Sequence, residues 1–321
     1  MLGAGLYGVL VAEARIARRV IGNAALATHQ PPDPTGWYGR GRPGPAIRIA
    51  LLGDSSAAGY GVERVEDTTG AQLASGVAAQ ADRRVHLRSF AVVGAQSSDL
   101  ADQADAAIGT HPDLAVVLIG ANDVTHTVMP SASVRHLAEG VRRMREAGIQ
   151  VVVGTCPDLG TVRPIPPPLK QVAREWSRRL AAAQTITVVE NGGRSVSVGD
   201  ILGPEFDAAP AVLFGPDRFH PSADGYQQLT SVLVPSCLAA LDLLPEDESF
   251  PEPLRREGIL PVAAAAVRAS RTPGTEVDGT EVGGNQRGLR GRWVELRHRR
   301  RRPATDAESP EQDEDPTGDQ P

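Results

Sequence analysis

Between residues 47 and 244, short apolar runs alternate with stretches of helical periodicity, and this alternation limits the fold more than any other feature of the chain. The apolar runs lie at 47–52, 85–93, 114–119, 149–154 and 186–189. Helical patterns fill 67–82, 97–108, 133–147, 168–183 and 222–244. Ser97 or Ser98 is placed to cap the second of these and Ser222 the last, in which Pro235 is expected to make a kink or a break. Strands that are apolar along nearly their whole length are buried on both faces, which calls for a parallel sheet with helices above and below. The expected architecture is α/β: a doubly wound, mainly parallel five-stranded sheet with helices on both faces, forming one domain over 47–244.

The flanks read differently. Residues 1–46 hold an N-terminal helix and a Pro/Gly linker at 28–46. The apolar start of the chain stops at Glu13, short of the roughly 20 residues that span a bilayer. A signal peptide carries its positive charge ahead of the apolar run; here Arg15, Arg18 and Arg19 follow it. The expectation is a helix over 1–22 with weak membrane affinity, in a protein of the cytoplasm or the membrane surface. Gly3, Gly5 and Gly8 match G-x-G-x-x-G, but no strand can precede them, so a dinucleotide site is rejected. Residues 245–321 are read as a short helix and then, from Thr272, a disordered tail with an arginine-rich block followed by an acidic one.

Composition excludes some classes. A net charge of −6 over 321 residues argues against nucleic acid as a partner. The two cysteines, Cys156 and Cys237, form no Cys/His cluster, so no metal is expected and two buried thiols are. No cofactor is expected, and the protein is read as a monomer.

In a doubly wound sheet, ligands bind at the carboxyl ends of the strands. There the chain places Gly53-Asp54-Ser55 after the first apolar run, Gly94 after the second and Gly120-Ala121-Asn122-Asp123 after the third. Asp217 and His220 precede the last helix. Each alone has a plain explanation as a turn, a cap or a surface loop, and Asp217 with His220 could be a metal pair if His126 or His136 joined them. Together they offer a different chemistry. Ser55 is a weak nucleophile until a base takes its proton, and His220 is such a base. Asp217 can hold the imidazole in one tautomer. The amide N–H groups of Ser55 and Gly94 and the side-chain amide of Asn122 can face a developing oxyanion. Ser56 rivals Ser55 as the nucleophile, and the G-x-S-x-G elbow of another hydrolase fold is absent.

The ordered set of Ser55, Gly94, Asn122 and Asp217/His220 resembles the four blocks of the SGNH, or GDSL, hydrolase family over residues 47–244. That resemblance implies a flavodoxin-like SGNH hydrolase fold and hydrolysis of a small-molecule or lipid acyl ester. It implies Ser55 as nucleophile, Asp217 and His220 as the rest of a catalytic triad, and Ser55, Gly94 and Asn122 as the oxyanion hole. Acyl transfer to an alcohol, or a binding module that has lost catalysis, stays open beside hydrolysis. Val124, Val128 and Met129 are the expected walls of an acyl pocket, and the proline-rich 156–170 its rim or a stiff connector.

Overall fold

The computed structural model describes residues 30–161, 167–199, 213–215, 217, 219–244, 257–282 and 285–295. A short strand β1 (Gly36–Tyr38) leads to β2 (Ile47–Gly53), the four-residue helix α1 (Ser55–Ala58), α2 (Thr69–Ala81) and β3 (Val85–Ser89). Then follow α3 (Leu100–Ile108), β4 (Leu114–Leu118), α4 (Ala121–Thr125), α5 (Pro130–Glu146) and β5 (Gln150–Gly154). Helix α6 (Leu169–Glu190), β6 (Arg194–Val196) and α7 (Ala223–Ala240) complete the central layer. The described residues end in β7 (Glu257–Pro261), α8 (Val262–Ala269), β8 (Thr275–Val282) and β9 (Asn285–Glu295).

Among the described residues, nine strands join one sheet in the order β1-β3-β2-β4-β5-β6-β8-β9-β7. The middle five, β3-β2-β4-β5-β6, are parallel, while β1 and the β8-β9-β7 group pair antiparallel at the two flanks. The strand period of two divides the side chains between two cores. Ile47, Ile49 and Leu51 of β2 join Leu73, Val77, Leu229 and Leu233 from α2 and α7. Ala50 and Leu52, one residue out of phase, join Leu100, Leu137, Val141 and Met144 from α3 and α5. Both faces of β2 are therefore closed to water, which is why its sequence is apolar at nearly every position.

Several boundaries differ from the sequence reading. The fifth parallel strand is β6, not 186–189; Ile186–Val189 are the last turns of α6. Leu180, Ala181, Gln184, Thr185 and Val188 are buried at helical spacing, so the helix begun at 169 simply continues. A four-residue apolar run fits either period, and tertiary context decides. The 28–46 linker contains β1, and the stretch read as disordered from Thr272 contains the β8–β9 hairpin. Two of its charges are paired rather than solvated: Arg194 of β6 bonds Glu276 and, at 2.7 Å, Asp278. Val277 and Trp293 pack with Val189, Val262 and Ala265, and the Arg268 guanidinium lies 3.7 Å from the Trp293 ring centre. Ser97 does not cap α3; a turn at Ser97–Asp99 precedes that helix, and the Ser97 hydroxyl points to Asp123. Ser222 does cap α7, which runs through Pro235 without a break.

Residues 1–29 and 296–321, with the expected membrane helix and acidic tail, lie outside the described residues. Among the described residues, no helix is long and apolar enough to cross a membrane. Cys156 and Cys237 are both buried and free.

Candidate active site

The site is built at the carboxyl end of β2. Gly53 ends the strand with φ at +134°, and a Cβ there would lie 1.9 Å from the Leu118 carbonyl oxygen, so only glycine fits. The next amide, Asp54 N–H, donates to that same carbonyl at 3.0 Å. The Asp54 carboxyl accepts from Ser56 N–H at 2.9 Å and caps α1. Ser55 is thus the first residue of a short helix whose Ala57 and Ala58 are buried, and Gly59 stops it in the left-handed conformation.

His220 arrives from far along the chain. Gly215 N–H donates to the His220 carbonyl and Ser222 N–H to the Leu213 carbonyl, both at 2.9 Å, which folds the loop back on itself. The imidazole packs between Tyr60 and Phe219, with ring centres 4.6 and 4.8 Å away. The Tyr226 hydroxyl donates to the Tyr60 carbonyl and holds that wall. His220 Nε2 lies 2.9 Å from Ser55 Oγ, and Nδ1 lies 2.5 Å from Asp217 Oδ2. The other Asp217 oxygen accepts the backbone N–H groups of Phe219 and His220, each at 2.9 Å. Ser55, His220 and Asp217 form one buried hydrogen-bonded line across 165 residues of sequence.

Asn122 and Gly94 lie on the neighbouring strand ends. Asn122 sits in α4, and its side-chain amide donates to the Ala95 carbonyl at 3.0 Å, next to Gly94. Gly94 has φ +87° and is exposed. Neither His126 nor His136 approaches Asp217 and His220: His126 Nδ1 bonds the Asn122 carbonyl at 2.9 Å, and His136 is exposed on α5. Among the described residues, no three His, Cys, Asp or Glu side chains converge as a metal site.

The family model of GDSL-like lipases and acylhydrolases matches residues 51–228. The chain belongs to that family. It is 40% identical over 259 residues to the GDSL-like esterase Rv1075c of Mycobacterium tuberculosis, covering 77% of this chain and 80% of that protein. Its fold is similar to that of a variant of Axe2, an acetyl-xylooligosaccharide esterase from Geobacillus stearothermophilus, with a TM-score of 0.50 at 17% identity. That likeness covers 61% of this chain and 96% of the other. This GDSL-like protein is accordingly an ester hydrolase.

A pocket of about 780 Å³, open mouth included, adjoins His220 in this GDSL-like hydrolase. Its walls are mostly apolar: Leu118, Ile119, Leu159, Val198, Phe214, Phe219 and Leu229. These are not the expected walls. Val124 is buried against Leu180 and Ala181, and Met129 is 61% exposed. The pocket instead opens between the ends of β4 and β5 and the loop that carries His220.

Two buried glutamines escape a pattern reading. Gln103 of α3 accepts from Gly53 N–H at 2.7 Å and donates to the Gly53 carbonyl at 3.0 Å. Gln184 of α6 accepts from Cys156 N–H at 2.7 Å and donates to the Ile119 carbonyl at 2.9 Å. Each amide pairs one backbone N–H and one backbone carbonyl at the strand ends, Gln103 on Gly53 alone and Gln184 across two segments. The available signal is a glutamine on the apolar face of a helix, where a polar side chain is costly without partners.

The electrostatics separate two carboxyls. Burial pushes the Asp217 carboxyl up, but the His220 hydrogen bond, its charge and the two backbone N–H groups outweigh it and hold the group below its ordinary value. Asp54 goes the other way. Burial pushes it up to about 6, and the Ser56 N–H bond and nearby His220 offset this only in part. Burial likewise raises the Cys156 thiol well above its usual range, so it is inert as a nucleophile.

The Asp54 shift has a sign that can be tested. A carboxyl whose folded pKa is raised favours the folded state while protonated, so stability is lost as pH rises from about 4 to about 6. At about 1.4 kcal/mol per pH unit, the loss is about 3 kcal/mol. Asp54→Asn keeps an acceptor for Ser56 N–H and removes the ionisation. In urea unfolding, its stability relative to wild type should improve by about that amount between pH 4 and pH 8. Equal changes in both proteins would show that Asp54 does not titrate in this window.

Proposed function

We propose that Ser55, His220 and Asp217 act as a catalytic triad in a two-step cleavage of acyl esters. The observation that carries this reading is the hydrogen-bonded line from Asp217 Oδ2 through the imidazole to Ser55 Oγ. Ser55 Oγ attacks the ester carbonyl carbon while its proton passes to His220 Nε2. The negative charge on the carbonyl oxygen meets the N–H groups of Ser55 and Gly94 and the Asn122 amide. The carbon–oxygen bond to the alcohol breaks, and His220 returns its proton to the leaving oxygen. Water then attacks the acyl-enzyme, giving its proton to His220; the acid leaves and Ser55 regains its hydrogen. Asp217, kept ionised by its donors, stabilises the imidazolium formed at each step. The apolar pocket beside His220 receives an aliphatic part of the ester.

The test is hydrolysis of p-nitrophenyl esters from acetate to palmitate by the full chain, followed by labelling with a fluorophosphonate and peptide mapping. The expected result is turnover on part of the series, lost as a single adduct forms on Ser55. An adduct on Ser56, or full activity after Ser55 is labelled, would overturn the assignment.

A further inference from the structure

We propose that Asp123 is a positioning residue for the oxyanion hole: it fastens the Gly94 loop to α4 and so fixes the direction of the Asn122 amide. The proposal rests on the acyl-transfer reading given above.

The tip of the Gly94 loop, unlike the buried Ala95 that follows it, is poorly held by packing. Val92 is 55% exposed and Val93 46%, and nothing lies within 4 Å of where a Gly94 Cβ would be. A tip with so little apolar burial depends for its placement on hydrogen bonds along the loop. Its first half is tied to β2, through Phe90 N–H to the Leu51 carbonyl at 2.8 Å and Val92 N–H to the Gly53 carbonyl at 3.0 Å. Its second half is tied by Asp123, which is 1% exposed. Asp123 Oδ2 accepts from both the backbone N–H and the hydroxyl of Ser97, each at 3.1 Å. Asp123 Oδ1 accepts from the Ser133 hydroxyl of α5 at 2.8 Å. One carboxyl therefore joins the loop after β3, the helix after β4 and the first turn of α5.

The consequence for Asn122 follows from its chemistry. A carbonyl can only accept, so the Ala95 carbonyl defines which end of the Asn122 amide is nitrogen. With one N–H committed to Ala95, the second N–H has a single direction left. Ala95 stands two residues before Ser97, and Asn122 one before Asp123, so the four residues close a ring. If the Ser97 end opens, Ala95 moves and the second N–H turns away from the place where charge develops. Misplacement of a catalytic group by about 1 Å costs about 100-fold.

The experiment compares Ser97→Ala, Ser133→Ala and Asp123→Asn in two backgrounds, wild type and Asn122→Ala, with p-nitrophenyl acetate as substrate and Tm by circular dichroism. In the wild-type background, Ser97→Ala and Asp123→Asn should lower kcat by about 10- to 100-fold with KM changed less than about twofold. In the Asn122→Ala background the same changes should cost less than about threefold, because the group they direct is gone. If Asp123→Asn fails to fold, the two serine variants still decide, since each removes one bond and leaves the carboxyl in place. Wild-type kcat in Ser97→Ala, or an undiminished loss in the Asn122→Ala background, would overturn the positioning role while Ser55→Ala stays inactive. An active Ser55→Ala would instead remove the acyl-transfer reading, and this proposal with it.

Discussion

Changing Ser55 to alanine should lower kcat/KM for p-nitrophenyl acetate by about 10⁴- to 10⁶-fold with the fold unchanged. A 10⁴-fold loss is about 5.5 kcal/mol of transition-state stabilisation, more than any oxyanion donor contributes alone. The size of the effect comes from position. Ser55 Oγ is the group 2.9 Å from His220 Nε2, so in the proposed mechanism its removal leaves the imidazole with no nucleophile to activate. The change should cost little stability, because alanine suits the first turn of α1 and the cap bond belongs to Asp54 and Ser56. Ser56→Ala makes the contrast. The Ser56 N–H bonds Asp54 and its carbonyl accepts the Thr69 hydroxyl, and alanine keeps both of these bonds while losing the side-chain bond to Asp54. Activity of Ser56→Ala should stay within about threefold of wild type. The comparison needs steady-state rates and a melting curve for each variant. A folded Ser55→Ala that retains wild-type turnover would end the case for this nucleophile.

The parallel centre of the sheet is legible in sequence because burial on both faces leaves a mark that needs no knowledge of neighbours. Four of the expected strands overlap β2, β3, β4 and β5 within a few residues. The candidate site is legible for a related reason: glycine, serine and asparagine stand where strands end, where such a sheet binds ligands, and histidine stands just before the last helix of the domain. What escapes is whatever depends on distant partners. The run at 186–189 fits strand or helix until the rest of α6 is placed beneath it. The charges of β8 look like a solvated tail until Arg194 is known to lie opposite Glu276 and Asp278. Gln103, Gln184 and Asp123 do not show their partners in sequence, because each bonds a backbone group or a loop from another part of the chain. The pocket beside His220 likewise draws its walls from segments as far apart as Leu118 and Leu229.

Asp217→Asn should lower kcat by about 10⁴-fold although the two side chains have nearly the same shape. The reason lies in the donors around Asp217. Its Oδ1 accepts two backbone N–H groups, from Phe219 and His220, so an asparagine in this place must put its carbonyl oxygen there. The amide NH₂ then faces His220 Nδ1, where Asp217 Oδ2 accepted a hydrogen bond. Two donors cannot share that contact, so Nδ1 must give up its proton and accept. The neutral imidazole consequently carries its proton on Nε2, the nitrogen that faces Ser55 Oγ. In that tautomer it offers Ser55 a donor instead of a base. The loss is therefore one of protonation state rather than of structure, and it should appear in kcat with Tm nearly unchanged. The two residues should also behave as one unit. If Asp217 acts only through His220, then Asp217→Asn combined with His220→Ala should be no more than about threefold slower than His220→Ala alone. Losses that multiply across the two changes would show that Asp217 contributes to catalysis by a route that bypasses the imidazole.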